Sequence, residues 1–212
     1  AFTAVKYLTY ILLSINVYLF LQEELSALEH TFAGGIKPEQ IIQSFAATID
    51  TAAWVFLLLL FELETSVLDD SKIKGGLKWS LHGIRGICYL AIGYAFTGYY
   101  AELAMLYDVI LTPGVDACSL IGRDLSLLVD IDEYVPLNAM TCAAVGPDLY
   151  QFNGFDIVAD TSTMQAAQYL GWVDVINSAT WILVCIVLEV EVRLQLRGQL
   201  SDRIMETTRY LM

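Results

Sequence analysis

Asp50, Glu102 and Asp174 each stand inside a long apolar stretch, where an unpaired charge is costly. On helices, each falls about four or five residues from one end of its stretch, and Asn16 does the same in the first stretch. Asp174 and Asn177 share a stripe with Ser178, Trp181 and Cys185 at helical spacing. Asn16, Asp50, Glu102, Asp174 and Asn177 therefore form a candidate buried polar or ion-binding layer, with no Lys or Arg at that depth. Carboxylates gathered without a cation must hold protons, bind a metal ion or accept a basic group from a partner chain. The plain alternative is that they sit in interfacial water.

Other reactive groups are fewer. Glu62, Glu64 and Arg85 make an inner ion-pair cluster, read as simple interfacial pairing with a gating pair as the functional alternative. Cys118 and Cys142 lie in the longest polar stretch and are expected to be bridged, whereas Cys88 and Cys185 read as apolar fillers. Asp130-Ile-Asp-Glu133 superficially suggests calcium, but it lacks the glycine and spacing of an EF-hand loop. There is no G-x-G-x-x-G, P-loop, H-E-x-x-H or C-x-x-C motif. His30 and His82 are expected on opposite sides of the membrane, too far apart to share a metal. No catalytic residue and no cofactor is expected beyond a bound cation or lipid; whether a metal binds is left unknown.

The elements that must position these groups are apolar helices. The chain is 57% hydrophobic with 12 Tyr and 4 Trp, a composition suited to two membrane interfaces. Its net charge of -13 argues against a nucleic-acid partner. The uncharged run Thr51–Phe61 with its flanks is long enough to cross about 30 Å of hydrocarbon. Similar stretches at roughly 1–21, 45–65, 84–106 and 169–190 predict an all-α, polytopic four-transmembrane-helix bundle. Ala91, Ala95 and Gly98 give the third stretch a small-residue face for close packing.

The predicted organisation is a membrane domain over 1–192, with a disulfide-clipped extracytoplasmic loop subdomain at about 107–168, and a cytoplasmic C-terminal helix over 193–212. A short amphipathic helix is expected at Arg123–Ile131, and a helix cap near Asp160-Thr161. Lys6, Lys72, Lys74, Lys78 and Arg85, with the arginines after Glu189, put both termini on the cytoplasmic side of a plasma or inner membrane. The small first and large second external loops resemble the tetraspanin layout in outline, without that family's Cys-Cys-Gly motif. Val192, Leu196, Leu200 and Ile204 form a partner-helix stripe. These features point to a non-catalytic membrane subunit or interaction protein, bound to other membrane chains and lipid. The alternative is a cation or proton channel or transporter working as a homo-oligomer.

Overall fold

The structure is a computed structural model and describes residues 2–31, 41–64, 68 and 75–196. Helices α1 (Phe2–Thr31), α2 (Ile41–Ser44), α3 (Ala46–Glu62) and α4 (Gly76–Tyr107) come first. Five short strands follow: β1 (Val109–Pro113), β2 (Ser126–Asp130), β3 (Glu133–Pro136), β4 (Asp148–Phe152) and β5 (Ile157–Asp160). Helix α5 (Thr161–Leu196) closes the described chain.

The long helices lie antiparallel, and their principal contacts run in a row: α1 on α3, α3 on α4, α4 on α5. Lys6 meets Glu62 at one end of the first pair, while Glu24 meets Ala47 at the other. Trp54 of α3 reaches Trp181 of α5, with ring centroids 5.8 Å apart. α1 leaves Val5, Leu8, Ile11, Leu12, Ile15 and Leu19 exposed, because one neighbouring helix cannot cover a helix that is apolar all round.

The strands form one mixed sheet in the order β1-β4-β5-β2-β3, with β2 and β5 parallel and the other pairs antiparallel. Alternation sends successive side chains to opposite faces. Leu128, Phe152, Ile157 and Ala159 pack on Leu106 of α4 and on Met164 and Ala167 of α5. Leu127, Leu149 and Val158 pack the other way, against Ala117, Leu137 and Cys142. Two 3-10 turns, Ala117–Leu120 and Cys142–Ala144, cover that outer face, and the Cys118–Cys142 disulfide ties them together. Closing a loop with a sequence separation of 24 stabilises the fold by roughly 3 kcal/mol in the chain-entropy picture.

The expected all-α four-span bundle is overturned on two counts. The long polar stretch folds into a five-stranded sheet. Only two described helices are long and apolar enough to cross a membrane, Thr3–His30 and Thr161–Val187. α3 has 17 residues, about 26 Å, and is too short on its own. α4 dilutes its apolar residues with Lys78, His82, Arg85, Glu102 and several glycines. The segment read as an amphipathic helix at Arg123–Ile131 contains strand β2 instead. Its apolar run is short, with Leu127 and Leu128 buried on opposite faces, a pattern that periodicity alone does not separate from a helix. Asp160 does cap α5: its Oδ1 accepts from the Thr163 N–H at 2.7 Å and the Ser162 hydroxyl at 2.8 Å. Burial opposes the charge, but these hydrogen bonds hold the Asp160 carboxyl below its ordinary range.

The tightest helix contact is at Gly98 of α4. A Cβ there would stand 2.4 Å from the Ile42 carbonyl oxygen and 2.8 Å from the Ala46 Cβ. Gly93, on the same helix, has nothing within 4 Å of such an atom. Gly98→Ala should therefore destabilise the protein by roughly 1–3 kcal/mol, while Gly93→Ala should be neutral or slightly stabilising. Thermal unfolding of the two variants in one detergent checks this; equal midpoints would contradict the packing.

Candidate functional site at the junction of helices and sheet

The helical segment 41–62 breaks at Phe45, whose φ of -132° and ψ of 29° leave the helical region. Amides at the start of α3 then lose helical acceptors, and Phe45 offers no side-chain cap. Glu24 of α1 supplies one from another helix. Its Oε1 accepts from the Ala47 N–H at 2.9 Å and the Thr48 N–H at 3.2 Å. The positive end of the α3 dipole favours a carboxylate there. Glu24 is only 6% exposed, and its Oε2 is buried without a hydrogen-bond partner among the described residues.

Glu24 lines a cavity of about 20 Å³ with Gln43, Glu102, Met105, Asp132 and Tyr134 among its walls. Among the described residues, no basic side chain lines it. Asp132 sits in the turn between β2 and β3, at a left-handed φ of 60°. Glu102 of α4 shares the cavity wall with it, and burial, then the neighbouring Asp132, push the Glu102 carboxyl well up. Two buried carboxyls placed side by side disfavour carrying two negative charges, which favours keeping a proton on one of them. Burial, then the negative Glu23 and Asp174, push the Asp132 carboxyl up to about 6, against the opposing influence of Glu102. Burial, with Asp132 and Glu102 adding to it, pushes the Tyr134 phenol up as well. Beside this cavity, His30 near the end of α1 hydrogen-bonds Ser126 Oγ through Nδ1 at 2.9 Å and stacks on Tyr134. α1 is thus fastened to the sheet next to the carboxyl group.

The layer proposed from sequence is distributed differently. Glu102 belongs to the junction with Glu24 and Asp132. Asp50 instead accepts from Trp54 Nε1 at 3.1 Å and, at 3.5 Å, from the Tyr99 hydroxyl. Asn16 and Asp174 are half-buried on α1 and α5, and Asn177 is exposed. At the opposite end, Glu62 accepts from Lys6 at 2.6 Å and from Tyr10 at 3.2 Å, and Arg85 pairs with Glu64. Val192 and Leu196 lie on the last described turns of α5; Leu200 and Ile204 lie outside the described residues. Among the described residues, no three His, Cys, Asp or Glu side chains are grouped to hold a metal ion.

Sequence reasoning left Glu24 and Asp132 out of the site. Glu24 falls in a polar segment read as lying beyond the first helix. Asp132 falls in Asp130-Ile-Asp-Glu133, which reads as acidic solvated surface with a weak suggestion of calcium. A usable signal was present: Asp130 to Glu133 follows an apolar run and precedes Tyr-Val-Pro, which is hairpin composition.

Fold and junction together define a mixed helix-and-sheet protein with two helices of membrane-spanning length and a carboxyl-lined contact between its layers. Comparison with family models, curated proteins and solved structures returns no match.

The Asp132 shift has a stability consequence. Its carboxyl is raised in the folded state, so the fold favours the protonated form. That contribution is complete below about pH 4 and is lost as the pH rises to about 6. The wild-type thermal midpoint should fall across this window more steeply than that of Asp132→Asn. Parallel profiles would contradict the assignment.

Proposed function

We propose that this chain is a non-catalytic integral membrane subunit that carries a disulfide-clipped sheet subdomain and binds other membrane chains. The observation that carries this reading is α1. Its 18-residue apolar window has none of its residues buried within the chain, so lipid or neighbouring chains must cover it. The exposed Val173, Ile176, Leu183 and Ile186 of α5 add a second such surface. His30 and Thr161 bring the sheet to one shared end of these two helices. A disulfide persists in an oxidising compartment, so this reading places the sheet outside the cytoplasm and the starts of α1 and α4 on the cytoplasmic side. The absence of nucleotide-binding, zinc-hydrolase and redox motifs from the sequence supports a non-catalytic role.

A second reading, a proton or cation transporter, is favoured by the carboxyl-lined junction. The cavity there holds about 20 Å³, little more than one water molecule. Conduction through it would need neighbouring copies to extend the path.

Native mass analysis of the gently extracted protein separates the two readings. A stoichiometric foreign chain supports the subunit reading; a pure homo-oligomer that carries proton flux in liposomes supports transport and contradicts the first. Placement is checked with Asp156→Cys, at an exposed position in the sheet subdomain. An impermeant thiol reagent should label it in intact cells, and labelling only after permeabilisation would reverse the orientation.

A further inference from the structure

The carboxyl junction holds one feature that its protein neighbours leave unexplained. Glu24 is 6% exposed, yet among the described residues Oε2 has no hydrogen-bond partner while Oε1 takes two backbone amides. A buried carboxylate oxygen without a donor is strongly unfavourable. The cavity that Glu24 lines has about 20 Å³, enough for a single water molecule, which needs roughly 10–15 Å³. The lining offers such a water further polar partners, Glu102 and Asp132 among them. Glu102 and Asp132 also line this cavity, with no basic side chain among its described walls, and two carboxyls so placed favour holding a proton.

We propose that the cavity between α1, α2, α4 and the β2–β3 turn is a proton-binding site. It holds one water that donates to Glu24 Oε2 and one proton shared by Glu102 and Asp132. The proton, rather than a metal ion, is the ligand, because no metal-holding group of acidic, His or Cys side chains is present among the described residues. Loss of the proton passes it to bulk water and leaves carboxylates on α1, α4 and the hairpin facing one another. The surrounding titratable groups sharpen the effect. Glu23 and His30 come from α1, Asp50 from α3, Tyr99 from α4, Tyr134 from β3 and Asp174 from α5; the carboxylates among them all add negative charge. Deprotonation therefore adds repulsion between the hairpin turn and the helices. The site does not depend on the subunit reading, since it is internal to one chain.

Infrared spectroscopy of the full chain in lipid nanodiscs, titrated with acid and base, tests this. Wild type should show a protonated-carboxyl C=O band persisting about two pH units above the ordinary carboxyl range. Glu102→Gln or Asp132→Asn supplies a fixed N–H in place of the proton, so the remaining carboxyl should lose its proton at least tenfold more readily. A water O–H band that shifts in H₂¹⁸O should be present in wild type and lost or moved in Glu24→Gln. Tryptophan fluorescence checks folding; if Glu102→Gln fails to fold, Asp132→Asn, at the hairpin turn, carries the test. The proposal is overturned if no protonated carboxyl persists above the ordinary range, or if that band is identical in both carboxyl variants. It is also overturned if sodium or magnesium chloride removes the band at constant pH, which would make the ligand a metal cation. An unchanged water band in Glu24→Gln overturns the water assignment.

Discussion

A carboxylate on one helix capping the broken start of another is the contact on which the arrangement depends. Phe45 interrupts the helical ladder, and the amides of Ala47 and Thr48 need acceptors in a place that water does not freely reach. Glu24 meets that need from α1, so the break and the α1–α3 pairing stand or fall together. The break also shapes the surface against which Gly98 brings α4 into contact with Ile42 and Ala46. One acidic residue thereby fixes where α1 lies, and α1 in turn delivers His30 to the sheet.

The sheet contributes the complementary half of the junction. Because both of its faces are buried, one on α4 and α5 and the other beneath the disulfide-linked turns, the sheet cannot slip by one residue without inverting its whole apolar pattern. That fixed register places the β2–β3 turn, and with it Asp132, against Glu102. Acidic groups gathered in one place, without a basic residue lining the cavity among the described residues, store repulsion that protonation relieves. The ion pairs Lys6–Glu62 and Arg85–Glu64 stand at the far end, where each acid has its own base. The two ends of the helical layer are thus electrostatically unlike.

The sequence carries some of this directly. The apolar runs mark where long helices form, and Ala95 and Gly98 mark the close contact, because small residues at helical spacing let two backbones approach. Cys118 and Cys142 are legible as a bridge, and Asp160 as a cap. The sheet is not legible in the same way. Its strands are only four or five residues long and unevenly covered, from the open β1 to the largely buried β5, so none has the clean alternating pattern of a half-buried strand. Hydropathy alone overcounts spans: α3 is apolar enough but short, and α4 is long enough but too polar. Glu24 and Asp132 are invisible as partners because they are more than a hundred residues apart and meet only after the hairpin and α1 are both in place.

Amide hydrogen exchange at Ala47 and Thr48, in wild type and in Glu24→Ala, tests the role of the Glu24 cap most directly. If Glu24 holds the start of α3, both amides are protected in wild type and lose protection in the variant, while amides near Leu57, deeper in the same helix, keep theirs. Unchanged protection at Ala47 and Thr48 would mean that another group caps the helix, and the junction would lose its organising contact.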